Sequence, residues 1–259
     1  MITVVDQIGQ SHTFKKTPQR IVSLVPSQTE LLVDLGLMDA IQGVTKFCVH
    51  PKDLRKKKAV VGGTKQVNIE KIKALTPDII LCNKEENTQE IVVALSKIAP
   101  VHVSDVKTLA DTYELIKQYG ELFNVNVVTE ELISNIKKEA ASFKESQLAN
   151  TVKSCLYLIW KDPYMAVGRD TFINHLLSLN GFVNHIQEER YPEVAIESFK
   201  EVDYILLSSE PFPFSEKHRE ELQKYTYTKM VLVDGEYFSW YGSRLLKAFD
   251  YFKELQQTI

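Results

Sequence analysis

Cysteine is scarce: Cys48, Cys82 and Cys155 are scattered over 259 positions. Their odd number and the lack of CxxC spacing exclude a disulfide framework and a zinc knuckle, so they read as free thiols. No apolar run approaches the ~18 residues that span a bilayer. The opening, MITVVDQIGQSHTF, lacks the basic-then-apolar pattern of a signal peptide. Nothing in the chain as written directs export, which places it in the cytoplasm if this is its full length. Basic charge is not in surplus either. Lys and Arg number 31 against 34 Asp and Glu, a formal net charge of -3, so nucleic acid is not an expected partner. The run Arg55-Lys56-Lys57-Lys58 reads as a solvated face. The signatures GxSxG, HExxH, GxGxxG and GxxxxGKS/T are missing, and Gly62-Gly63-Thr64-Lys65 is too short for a phosphate loop. Among six histidines only His50 has a soft-ligand neighbour, Cys48. Two ligands are too few for a protein-built metal site.

What is present is an ordinary globular composition, 44% hydrophobic and 25% charged. Short apolar runs bounded by turn residues recur at 21–25, 79–82, 101–103, 155–160, 204–207 and 230–233, each the length of a buried strand. Helical patterns lie between them, such as 29–37 closing on Gly36 and 171–179 closing on Gly181, where glycine can take the left-handed conformation. Strands alternating with helices predict an α/β chain with mainly parallel sheets flanked by helices. Residues 108–149 differ: Leu109, Tyr113, Ile116, Tyr119 and Leu122 fall at helical spacing, with a break expected around 123–128 near Asn124 and Asn126. This stretch reads as a long helical connector.

The flanks repeat one another. VNIEKIK at 67–73, followed by Asp78-Ile79-Ile80-Leu81 and Glu85, returns as VAIESFK at 194–200, followed by Asp203-Tyr204-Ile205-Leu206 and Glu210. Upstream of each copy stands a strand–turn–helix phrase, RIVSLVPSQTELLVDLGL in the first half and YMAVGRDTFINHLLSLNG in the second. Two repeats in the same order predict two similar lobes, 1–107 and 150–259, joined by the connector 108–149.

The phrase RIVSLVPSQTELLVDLGL, Gln42-Gly43-Val44-Thr45, Gly62-Gly63-Thr64, NIEKIKALTPDIILCNKE and the C-terminal Trp240-Tyr241-Gly242-Ser243-Arg244 together resemble the helical-backbone (class III) periplasmic binding proteins of ABC importers. The resemblance covers essentially the whole chain. It implies a ligand site in a cleft between the lobes and a cargo drawn from cobalamin-like corrinoids, haem or ferric siderophores. It also implies no built-in cofactor, a monomer, and a periplasmic location if an export signal has been removed. By the same resemblance, Glu70 and Glu197 meet arginines of a membrane permease. By themselves they read equally well as carboxylates at helix starts. The alternative function is a cytosolic enzyme, or a handling protein for corrinoids or metal complexes, on the same two-lobe scaffold.

Ligands of open α/β folds meet the loops beyond the carboxyl ends of the strands. There the sequence offers Phe47, Cys48, His50, Lys84 and Glu85 in the first half, and Trp160, Arg169, Arg190, Tyr191, Glu210, Trp240 and Arg244 in the second. The large aromatics read equally as core. Trp160, followed by Lys161 and Asp162, has the setting of a rim.

Overall fold

The computed structural model describes residues 1–147, 151–195 and 199–259. The chain forms two compact units, one of residues 1–136 with 241–244, the other of 137–240 with 245–259.

The first unit begins with a hairpin, β1 (Ile2–Val5) and β2 (Ser11–Phe14). One Asp6 carboxylate oxygen accepts the amides of Ile8 and Gln10 and shapes the turn, while Gly9 supplies φ +85°. The other oxygen accepts the Val103 amide and bonds His12 Nε2, pinning the hairpin to the sheet.

That sheet is built from β3 (Ile21–Ser23), β4 (Ile41–Val44), β5 (Ala59–Val60), β6 (Ile79–Asn83) and β7 (Val101–Ser104). Its order is β5-β4-β3-β6-β7, every pair parallel. β3 and β6 are buried along their whole length, as strands covered on both faces must be. α1 (Pro26–Asp34) starts on a proline whose fixed φ suits the first helical turn, and the chain leaves it through Gly36 at φ +79°. α2 (Leu54–Lys57), α3 (Ile69–Ala74) and α4 (Gln89–Leu95) complete the crossovers. Val22, Leu24, Ile72, Ile80, Cys82 and Leu95 form the centre of the core.

The helical stretch is two helices, α5 (Leu109–Phe123) and α6 (Asn126–Gln147). The break falls within the expected window, at Asn124, which caps α5 in the left-handed conformation. A Cβ at Gly120 would collide with Thr129 Oγ1, so glycine lets the start of α6 close onto α5.

In the second unit β8 (Lys153–Trp160), β10 (Phe182–Asn184), β11 (Tyr204–Ser208) and β12 (Lys229–Val233) form a parallel sheet ordered β10-β8-β11-β12. β9 (Met165–Ala166) turns back antiparallel on β8. α7 (Phe172–Leu179), α8 (Glu216–Leu222), α9 (Gly235–Ser239) and α10 (Leu245–Thr258) pack around it. Leu156, Leu158, Phe199, Ile205, Leu207 and Leu222 make one core. Phe143, Phe238, Phe249 and Phe252 make an aromatic cluster with centroid spacings of 4.8–6.2 Å.

The repeat is structural. β4-β3-β6-β7 and β10-β8-β11-β12 share one topology, and the repeated aspartates do the same work. Asp78 Oδ2 accepts the amides of Gln19 and Arg20 just before β3; Asp203 Oδ2 accepts the amide and hydroxyl of Ser154 in β8. The strand equivalent to β3 is therefore β8. Met165-Ala166, expected as that strand, belongs to an added hairpin.

Candidate ligand-binding site

In the first unit the loop after β4 carries Phe47, His50 and Cys48. Phe47 is 48% exposed despite its apolar ring. Its amide donates to Thr45 Oγ1, Lys46 Nζ stands 5.0 Å from the ring centroid, and the ring rests against Gly63, where a Cβ would lie 3.2 Å from Cε2. His50 is partly buried. Cys48 is 1% exposed, its Sγ 3.2 Å from Thr29 Oγ1 and 3.3 Å from Thr45 Oγ1, and burial raises its pKa. The Cys48 thiol, expected at a ligand, is enclosed beside these two hydroxyls.

The loop after β6 carries Lys84 and Glu85. Lys84 Nζ bonds Asp105 Oδ2 at 2.6 Å with half its side chain in solvent. The Glu85 amide donates to Asn83 Oδ1, and its carbonyl accepts from Lys65 Nζ. Two buried asparagines hold this loop. Asn87 Oδ1 accepts the Asn83 amide at 2.9 Å, and Asn87 Nδ2 reaches the Thr64 carbonyl. Asn83 ends β6 and Asn87 stands four residues on, in the loop beyond the strand. Glu70 is exposed in the first turn of α3, whose N-cap is Asn68. Glu197 lies outside the described residues.

Arg244 also belongs to the first unit and is 6% exposed. Its guanidinium makes two 2.8 Å bonds to Glu30. Arg244, expected to offer charge to a ligand, has its guanidinium fork on this buried carboxylate. Beside it, Tyr241 OH accepts from Gln28 Nε2 at 3.0 Å, and Tyr119 OH donates to Gln28 Oε1 at 2.7 Å.

In the second unit Trp160 ends β8 and is 40% exposed, its ring edge-on to Phe212 at 6.0 Å. Arg169 and Arg190 are both exposed and are brought together through their backbones: the Arg190 amide donates to the Arg169 carbonyl at 3.0 Å. Arg190 takes φ +66°, an uncommon position for a side chain of its size, and the partly buried Tyr191 follows it. Trp240 is 7% exposed and donates from Nε1 to Glu210 Oε1 at 2.9 Å. The same oxygen accepts from Ser239 Oγ. Burial, with Glu236 and Asp234 nearby, raises the Glu210 pKa. Trp240 and Glu210, both expected at the ligand, are bonded to one another, with the indole buried.

Among the described residues no cluster of three or more His, Cys, Asp or Glu side chains is arranged to hold a metal, and no helix is long and apolar enough to cross a membrane.

The sequence profile of the family described as periplasmic binding protein matches residues 21–224. An uncharacterized ABC transporter substrate-binding lipoprotein of Bacillus subtilis (strain 168), YvrC, is 31% identical over 189 residues, which is 69% of this chain and 59% of that one. The vitamin B12-binding protein of Pectobacterium carotovorum subsp. carotovorum (strain PC1) is 24% identical over 238 residues, 89% of this chain and 86% of the relative. Among solved structures, a periplasmic heme binding protein from Pseudomonas aeruginosa shares the fold with a TM-score of 0.79 at 21% identity, covering 92% of each chain.

Proposed function

The chain belongs to the periplasmic binding protein family, and from that premise we propose that it is the solute-capturing component of an ABC-type importer, with a corrinoid, haem or ferric siderophore as cargo. The match from residue 21 to 224, which takes in the first parallel sheet and β8 to β11 of the second, is the observation that carries this reading. The names of the relatives agree with it: substrate-binding lipoprotein, vitamin B12-binding protein and, for the similar fold, heme binding protein.

The cargo is held by loops at the carboxyl ends of the parallel strands. Phe47, Trp160 and Tyr191 supply apolar contact, His50 and Glu85 supply polar groups, and Lys84, Arg169 and Arg190 meet anionic groups of the ligand. An exposed aromatic that buries ~150–250 Å² contributes roughly 4–6 kcal/mol gross, at about 25 cal/mol per Å² and before ordering costs. A few such rings with convergent polar groups make a small-molecule site. Nothing in this arrangement needs a built-in cofactor or a reaction: the metal complex is substrate, captured and released unchanged. The protein works as a monomer outside the cytoplasmic membrane. Glu70, with Glu197 as its counterpart in the repeat, docks on cationic side chains of a permease, a contact that orients the complex more than it tightens it.

Visible-absorption titrations with hemin, cyanocobalamin and a ferric siderophore test the reading. One of them should bind at a ratio of one to one and be recovered chemically intact. Failure of all three to bind, or chemical conversion of the bound one, would sink it.

A further inference from the structure

We propose that Phe212 is a second ligand-contact ring of the second unit, forming with Trp160 an apolar corner that receives the conjugated, alkyl-bearing face of a metal macrocycle. This rests on the solute-binding reading above and narrows its ligand class.

Trp160 ends β8, and Phe212 lies in the loop after β11, the neighbouring parallel strand. Their ring centroids are 6.0 Å apart with planes at 69°, so the pair presents two surfaces at a steep angle. The corner is fixed before any ligand arrives. The Phe212 amide donates to the Ile159 carbonyl at 3.2 Å, which ties its loop to the residue preceding Trp160. Two residues on, buried Phe214 donates its amide to the Ser208 carbonyl at 3.1 Å. Phe214 and His218 back the Phe212 ring at 4.8 and 5.1 Å. Met165 is paired opposite Trp160 across the β8–β9 ladder.

The cation that follows Trp160 is held away from the rings: Lys161 Nζ bonds Glu221 Oε2 at 2.9 Å with only 16% of its side chain exposed. A rigid, partly exposed aromatic pair costs little ordering on binding, which is the condition for a hot spot. Such a surface suits porphyrins and corrins, which combine a broad apolar face with polar substituents at the periphery.

The test uses the full chain and the variants W160A, F212A, F212L and W160A/F212A, titrated with hemin, cyanocobalamin and ferric citrate and followed by thermal melting. Hemin or cyanocobalamin should bind the wild type, and F212A and W160A should each weaken it by about tenfold or more. The double variant should lose less than the product of the two. F212L, which keeps the buried volume, should melt near the wild type and still lose affinity. Wild-type affinity in both Phe212 variants, or ferric citrate as the sole ligand, would overturn the proposal. Macrocycle binding that survives both Phe212 variants overturns the corner and leaves the solute reading intact, whereas a wild type that binds no metal complex takes both down.

Discussion

Arg244 holds Glu30 through two parallel hydrogen bonds, Nε to Oε2 and Nη2 to Oε1, each 2.8 Å, across 214 residues of sequence. Both side chains are buried, at 6% and 7% exposure. The pair explains how residues 241–244, late in the chain, come to be part of the first unit. Two desolvated charges are tolerated because each lies in the geometry the other needs.

Removing one partner strands the other. Glu30→Gln and Arg244→Met are each expected to lose about 3–5 kcal/mol of unfolding free energy, while Glu30→Leu combined with Arg244→Met recovers most of it. Urea unfolding measures all three, and single variants within about 1 kcal/mol of wild type would show that the pair carries little.

His102 gives the first unit an acid limit. Burial depresses its pKa to about 4 from 6.5, only partly opposed by the bond to Gln118 and by Asp6. Below pH 6.5 the unfolded chain takes the proton before the folded one does. The contribution is therefore complete above 6.5 and lost as pH falls toward 4, amounting to roughly 3 kcal/mol at about 1.4 kcal/mol per pH unit. His102→Gln retains a donor for Gln118 Oε1 and should flatten stability over that window. An unchanged slope in the variant would assign the acid sensitivity elsewhere.

Glu210 has the opposite sign. A carboxyl whose folded pKa is raised by burial binds its proton more readily in the native state. Its contribution is greatest below the unfolded value of 4.5 and declines as pH rises through the folded one. Glu210→Gln keeps an acceptor for Trp240 Nε1 and Ser239 Oγ but carries no charge. It should melt above the wild type at pH 7, with the gap closing toward pH 4. A lower melting temperature at both pH values would mean that the charge-assisted bonds outweigh desolvation.

Gly63 sets the pose of Phe47. Any side chain there presses on the ring, since even a Cβ would approach Cε2 to 3.2 Å. Gly63→Val should rotate the exposed ring, weaken binding of whichever metal complex the wild type takes by several-fold, and shift the melting temperature by no more than roughly 2 °C, because exposed side chains contribute little to stability. Unchanged affinity would remove Phe47 from the ligand surface.

Much of the fold is legible in the residues because burial on both faces of a parallel sheet leaves apolar runs, as at Ile79–Asn83 and Lys153–Trp160. β4 escaped the pattern. Its Gly43 sits where a Cβ would approach Leu75 Cδ1 to 2.7 Å, so a packing demand from outside the strand decides that residue. β10 escaped because it is three residues long with Val183 exposed. The rule that looks to loops after strands gathers exposed Phe47 and Trp160 together with buried Cys48, Trp240 and Arg244. A local sequence does not reveal whether a side chain's partner is solvent or a residue far along the chain.

The sequence by itself determined the alternation of strands and helices, the duplicated order and the turn at Asn124, since these follow from periodicity, apolar content and backbone preference within short windows. Tertiary structure alone decided which aromatic is rim and which is core, and which cation is exposed and which is locked. Trp160 and Trp240 are the same residue type, but Glu210, 30 residues from Trp240, holds its indole inside, while Trp160 ends a strand at the surface. Exposure is a property of what the rest of the chain brings near, and folding is the step that supplies it.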